Sequence, residues 1–204
     1  NNHFDIVGVG VIGGYYQYKK LKSICAAISK SNDRPILIIG GYGPAPEPQF
    51  FMEKTNADFC VIGEGELPLL NLLNEINGSK KYSTVKGVMY REDNKYKATE
   101  RAKPIKNIDD IPVPAWDLFP IDAYACLKPS GAVGAVRSMP ILTCRGCMYS
   151  CTFCYQMEKG YRKRSYGSII EEIKQLIKNY NISLVRLRDE LLMSNEKRII
   201  GFCE

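Results

Sequence analysis

Three short runs rich in valine and isoleucine, each ending in glycine, constrain this chain more than anything else: Phe4–Gly10 (FDIVGVG), Pro35–Gly40 (PILIIG) and Asp58–Gly63 (DFCVIG). They are too short for helices, and their consecutive apolar residues suit strands buried on both faces. Between them, 18–30 carries Leu21, Ile24, Cys25 and Ile28 at helical spacing, and 47–55 reads as a shorter helix entered through prolines. A β-α-β-α-β alternation of this kind makes a parallel sheet with right-handed crossovers. A further helix is expected over 67–76, with Pro68 in its first turn and Asn77-Gly78 at its end. Two β-rich stretches, 85–91 and 95–100, flank Glu92-Asp93-Asn94 as a hairpin would.

From Ala102 to Met139 the chain is irregular, with prolines at 104, 112, 114, 120 and 129, and reads as an ordered linker pinned by Trp116, Leu118 and Phe119. A second β-α-β unit then begins: a strand over 140–144, a helix over 169–180 and a strand over 183–188. The helix carries Ile169, Ile170, Ile173, Leu176 and Ile177 on one face, with Ser168 and Glu171 as a capping box. A last helix starts near Asn195. With 204 residues, 45% of them hydrophobic and 25% charged, there is material for two small globular domains. No apolar run approaches the roughly 18 residues of a membrane span. A net charge of +6 does not by itself indicate nucleic-acid binding. The chain opens on Asn1-Asn2-His3 without a secretory leader, and the reading is of an internal piece of a longer protein.

Eight cysteines are present, and four of them, Cys144, Cys147, Cys151 and Cys154, crowd into one short stretch. Clustering favours metal over a disulfide framework. Cys147, Cys151 and Cys154 form a CxxxCxxC after a strand, and soft thiolates so spaced converge on zinc or an iron–sulfur cluster. Zinc in a structural site wants four ligands, and the single histidine, His3, is far away in sequence. Cys144 lies on the preceding strand and reads as a spectator. Three ligands to a four-iron cluster leave one iron open to a small molecule. Cys25, Cys60, Cys126 and Cys203 stand in apolar contexts as core residues.

These cysteines, with Phe153 and the approach Pro140-Ile-Leu-Thr-Cys-Arg-Gly, resemble the signature of the radical S-adenosylmethionine (radical SAM) superfamily. The run through Tyr155, Lys159-Gly160, Arg162, Arg164-Ser165 and Glu171-Glu172-Ile173 is similar to the subgroup with an N-terminal cobalamin-binding domain. So are Ile39-Gly-Gly41-Tyr-Gly43-Pro44, Val61-Ile-Gly63-Glu-Gly65-Glu66 and Pro114-Ala-Trp116-Asp-Leu-Phe-Pro120. The resemblance implies a 4Fe-4S cluster on Cys147, Cys151 and Cys154, whose open iron takes the amino and carboxylate groups of S-adenosylmethionine. It implies Phe153 beside the adenine, Asp189 and Glu190 toward the methionine amine, and Gly41, Gly43, Gly63 and Gly65 lining a cobalamin crevice. The expected architecture is α/β. A truncated Rossmann-like (flavodoxin-like) cobalamin-binding domain (1–78) leads through a hairpin and proline-rich linker (79–138) to the first βα units of a radical SAM partial TIM barrel (139–204).

At roughly 30 residues per βα unit, the stretch after Cys147 holds about two units. The implied protein is a cytoplasmic, oxygen-sensitive enzyme that cleaves S-adenosylmethionine to begin radical chemistry on an unreactive carbon of a small-molecule substrate, methyl transfer being common in the subgroup. It would draw electrons from a partner such as flavodoxin or ferredoxin. The 204-residue piece alone is expected to be inactive and poorly soluble, with strand edges uncovered. The alternatives are a radical SAM protein without bound cobalamin and a non-catalytic zinc or iron–sulfur binding module. Gly8-Val-Gly10-Val-Ile-Gly13 also matches a nicotinamide-binding GxGxxG. Against that reading stand a helix start delayed past Gln17 and the lack of an acid after the second strand. Lys159, Arg162, Lys163 and Arg164 read as a solvated basic cluster or an anion site, and Asp109-Asp110 as turn chemistry.

Overall fold

The computed structural model describes residues 3–127, 134, 136–192 and 195–204. The chain divides between Pro104 and Ile105 into two units. In the first, β1 (Ile6–Gly10), β2 (Ile36–Gly40) and β3 (Phe59–Val61) pair in parallel, Ile6 opposite Ile36 and Ile38 opposite Phe59. Strand β2 feeds two cores at once. Leu37 and Ile39 pack with Leu21 and Cys25 of α1 (Tyr15–Ser29) and Met52 of α2 (Pro48–Thr55). Ile38 turns the other way, to Leu72 and Ile76 of α3 (Glu66–Asn77). Burial on both faces explains why the strands read as unbroken apolar runs.

Helix α1 begins at Tyr15, directly after Gly14 at φ +89°, and not three residues later as the apolar spacing suggested. Its first turn carries exposed Tyr15 and Tyr16, which give no periodic signal. The helix start is therefore early enough for a nucleotide fold. A different observation stands against that fold: the Gln17 side-chain oxygen accepts from the main-chain N–H groups of Ile12 and Gly13, at 3.1 and 3.0 Å, and so occupies donors a phosphate would use.

The hairpin, assigned from sequence to the connecting segment, belongs to this first sheet. Strand β4 (Val88–Glu92) pairs antiparallel with β3, Phe59 opposite Tyr90, and β5 (Lys95–Ala98) continues the sheet in the order β1-β2-β3-β4-β5. Asp93 and Asn94 both have positive φ, 49° and 59°, as a two-residue type I′ turn requires. The expected boundary after residue 78 thus lies at 104, and the linker residues from 105 on belong to the second unit.

In the second unit, α4 (Ile121–Ala125) precedes β6 (Ser138–Ile141), which pairs in parallel with β9 (Leu184–Leu187) across the helix α5 (Tyr166–Tyr180). Two-residue strands β7 (Cys144–Arg145) and β8 (Arg162–Lys163) pair antiparallel, and α6 (Glu196–Cys203) follows β9. Met139, Ile141, Ile169, Leu176, Ile121 and Ala125 form the core, whereas Cys126 and Cys203, expected as core residues, are exposed. Of the expected linker anchors only Trp116 packs onto it; Leu118 is 82% exposed and Phe119 half exposed, while Ile108 and Ile121 are buried instead. Pro129 lies outside the described residues.

Helix α5 departs from its sequence reading at both of its signals. The cap is Ser165, whose hydroxyl accepts from the Ser168 N–H at 3.2 Å, so Ser168 sits one turn inside. Ile170 and Ile177 are exposed, and Glu172, 2% exposed, takes a core position because Arg164 pairs with it. No helix among the described residues is long and apolar enough to cross a membrane.

Candidate cofactor site

The three clustered cysteines lie on one loop with its base closed. The loop leaves β7 and returns by β8, Cys144 opposite Lys163 and Arg145 opposite Arg162, and a further bridge joins Cys147 to Lys159. At the crossing Gly146 has φ +76°, and a Cβ there would fall 2.2 Å from the Gly160 carbonyl oxygen, so only glycine fits. Beyond it the Cys154 N–H donates to the Cys151 carbonyl at 3.1 Å, a single turn that brackets Thr152 and Phe153. Cys147 is half-buried; Cys151 and Cys154 are exposed. The sulfurs do not converge: among the described residues no three His, Cys, Asp or Glu side chains stand close enough to hold a metal ion. Cys144 is set apart, buried in the strand pair, with its thiol pushed up by burial and by the Asp189 charge.

Asp189, expected to face the amine of S-adenosylmethionine, is engaged inside the fold. One carboxylate oxygen accepts from the N–H groups of Thr143 and Cys144, at 2.6 and 2.9 Å, and the other from the Thr143 hydroxyl at 2.6 Å. The end of β9 thereby clamps the strand that enters the cysteine loop. Arg198 of α6 adds to the clamp, donating to the Thr143 carbonyl at 3.0 Å and to the Arg164 carbonyl at 3.2 Å. Glu190 is exposed, and Phe153, expected against the adenine, is 90% exposed.

The basic cluster after the cysteines is largely structural. Arg164 donates to Glu172, to the Leu142 carbonyl at 2.9 Å and to Ser168, while Arg162 donates to the Ile105 carbonyl at 2.7 Å. Lys163 lies over the Tyr161 ring. Asp109 is more than turn chemistry: its carboxylate accepts from the Ser165 N–H at 3.0 Å, at the start of α5. Burial raises that carboxyl, but the Ser165 and Ser168 hydrogen bonds and the Arg164 charge outweigh it and hold it below its ordinary value. Sequence reasoning missed these partners of Asp189, Arg198 and Asp109, whose only signal was an acid or arginine next to an element end.

In the first unit the glycines expected to line a crevice share the carboxyl edge of the sheet, where ligands of open α/β sheets bind. Gly41 has φ +97° and a Cβ there would meet the Val11 carbonyl oxygen at 2.5 Å; the Gly43 N–H donates to the same oxygen at 3.0 Å. Gly63, at φ +92°, is buried after β3, and Gly65 caps α3. Exposed Ile12, Tyr15, Tyr16 and Tyr42 flank this edge. At Gly41 and Gly43 the space a side chain would take is filled by Val11, so these glycines let the loop after β2 pack against the loop after β1. The cysteine donor set, three soft thiols on one closed loop, fits an iron–sulfur cluster.

No family model matches the chain. An uncharacterised methyltransferase of Pyrococcus horikoshii is 30% identical over 201 residues, 96% of this chain and 42% of the relative. The anaerobic magnesium-protoporphyrin IX monomethyl ester cyclase of Rubrivivax gelatinosus is 29% identical over 208 residues, 98% of this chain and 36% of the relative. Among solved structures, the cobalamin-dependent S-adenosylmethionine radical enzyme OxsB, with aqua-cobalamin and S-adenosylmethionine bound, superposes with a TM-score of 0.73 at 24% identity, over 98% of this chain and 28% of that one. The chain is thus similar in sequence to a methyltransferase and to a cyclase, and it shares the fold of a cobalamin-dependent radical enzyme. It spans about two fifths of the length of the Pyrococcus relative, and its likeness to the solved structure is one of fold.

Proposed function

We propose that this chain is the part of a cobalamin-type radical SAM enzyme that holds the cofactors. Its first unit would be the Rossmann-like cobalamin-binding domain and its second the opening βα unit of the partial barrel. Cys147, Cys151 and Cys154 would hold a 4Fe-4S cluster, which when bound supplies the electron that splits the sulfonium of S-adenosylmethionine for chemistry at an unreactive carbon, with methyl transfer as the outcome. The Pyrococcus relative named as a methyltransferase and the solved cobalamin-dependent enzyme support this reading.

The observation that carries it is the closed cysteine loop on a β-α-β unit. Gly146 and Gly160 let the two ends of the loop cross, and β7 with β8 fixes the exit direction of Cys147. Asp189 holds the entering strand from behind, so the three thiols are delivered on a short arc from a braced base. In the first unit the role of Gly41 and Gly43 would be to let the loop after β2 pack closely on Val11, and that of Gln17 to hold the β1–α1 loop in one shape, so that the carboxyl edge has a fixed form. A small-molecule substrate and a reducing protein such as flavodoxin or ferredoxin complete the reading.

The test is anaerobic reconstitution of the chain with iron and sulfide, then electron paramagnetic resonance of the reduced protein with and without S-adenosylmethionine. A reduced-cluster signal that changes when S-adenosylmethionine is added, and is absent in C147A, C151A and C154A, is the expected result. Uptake of one zinc without a cluster would overturn the proposal.

A further inference from the structure

The parallel pair β6–β9 has one face spent on α5, through Met139, Ile141, Val185 and Leu187. Side chains alternate along strands, so Ser138, Pro140, Leu184, Arg186 and Arg188 share the other face, with Pro140 opposite Arg186. The Arg188 N–H donates to the Ile141 carbonyl at 3.0 Å, which carries the pairing, and hence the alternation, through Arg188. Two buried polar atoms on this face lack a hydrogen-bond partner: Nε of half-buried Arg186 and the hydroxyl of Ser138, a residue with no exposed surface. Among the described residues neither guanidinium has an acidic partner. The nearest acid in sequence, Asp189, is occupied by Thr143 and Cys144.

A sequestered donor without an acceptor is a standing cost, and a planar guanidinium repays it best with a two-oxygen anion. We propose that this face of the β6–β9 pair is an oxyanion subsite, in which half-buried Arg186, with exposed Arg188 beside it, receives a carboxylate, phosphate or phosphonate group. The inference deepens the radical SAM reading and rests on it for the source of the anion: either the substrate or the carboxylate of S-adenosylmethionine. It concerns residues outside the cysteine loop and its basic neighbours, whose arginines are already engaged by main-chain oxygens and Glu172.

The test uses the full 204-residue chain. Methylphosphonate binding is read from phosphorus line widths, which needs no cluster, and S-adenosylmethionine binding by calorimetry on reconstituted protein with its iron counted. Wild type is compared with R186Q, R188Q and R186K, and with K159Q as a charge control; near-ultraviolet circular dichroism reports that each variant is folded. Saturable methylphosphonate binding, weakened about tenfold or more in R186Q but not in K159Q, with S-adenosylmethionine affinity unchanged, assigns the anion to the substrate. Weakened S-adenosylmethionine binding in R186Q, without methylphosphonate binding, assigns it to that carboxylate. Equal affinities in wild type and R186Q for both probes overturn the subsite. A chain that takes no cluster yet binds methylphosphonate through Arg186 sinks the radical SAM reading and leaves the subsite standing, and one that does neither sinks both.

Discussion

Replacing Asp189 tests whether the cysteine loop is held from outside itself. In D189A the N–H groups of Thr143 and Cys144 lose their acceptor, and both residues are buried. A stranded buried donor costs about 1–3 kcal/mol, so two of them come to about 4 kcal/mol. That is roughly a thousandfold in the opening equilibrium of the segment at 25 °C. In D189N one oxygen still accepts both amides, while the charge and the acceptor of the Thr143 hydroxyl are lost, about 2 kcal/mol or roughly thirtyfold. Deuterium exchange of peptides spanning 142–150 reads both numbers directly, with peptides from α3 in the first unit as the internal reference. The graded order, Ala faster than Asn faster than wild type, is the expected result. Exchange in D189A within about threefold of wild type would refute the clamp.

The remaining predictions concern single contacts. G146A places a methyl against the Gly160 carbonyl at a positive φ, so it should open the loop base and abolish cluster assembly, measured as iron bound per chain, while the first unit keeps its far-ultraviolet signal. Removing Glu172 leaves the Arg164 charge almost buried; E172A should cost about 3–5 kcal/mol in urea unfolding, and a cost under about 1 kcal/mol would deny the pair its structural role. Because the Asp109 carboxyl is held below its unfolded value, its contribution is present above about pH 4 and fades as pH falls through the folded value. The acid limb of the stability profile should therefore flatten in D109N. Burial pushes the Cys60 thiol up to about 12, so in the native chain at pH 8 iodoacetamide should label Cys151 and Cys154 and leave Cys60 intact until denaturant is added.

The alternation of strands and helices was legible because burial on both faces of β2 leaves an unbroken Ile-Leu-Ile-Ile run that nothing else explains. Where the fold hid from the sequence, contacts distant along the chain decided it. Glu172 reads as a surface acid until Arg164, eight residues earlier, is known to reach it. The first turn of α1 reads as loop because its two tyrosines face outward. The cysteines announced themselves by spacing, whereas the strands that close their loop have two residues each, below any periodicity. Asp189 looked like a ligand for a small molecule because it follows a strand. Three protein donors reach it first.

The hairpin that joined the first sheet also bears on how the chain behaves in crowded solution. Strand β5 ends the sheet on that side, four residues long, with Lys95 and Lys97 exposed and Lys97 paired to Glu92 across the turn. A left-handed dipeptide turn twists it, and two lysines line it, so an incoming strand of another molecule would have to bury ammonium groups to extend the sheet. On this flank the charged edge disfavours extension of the sheet by a strand from another molecule.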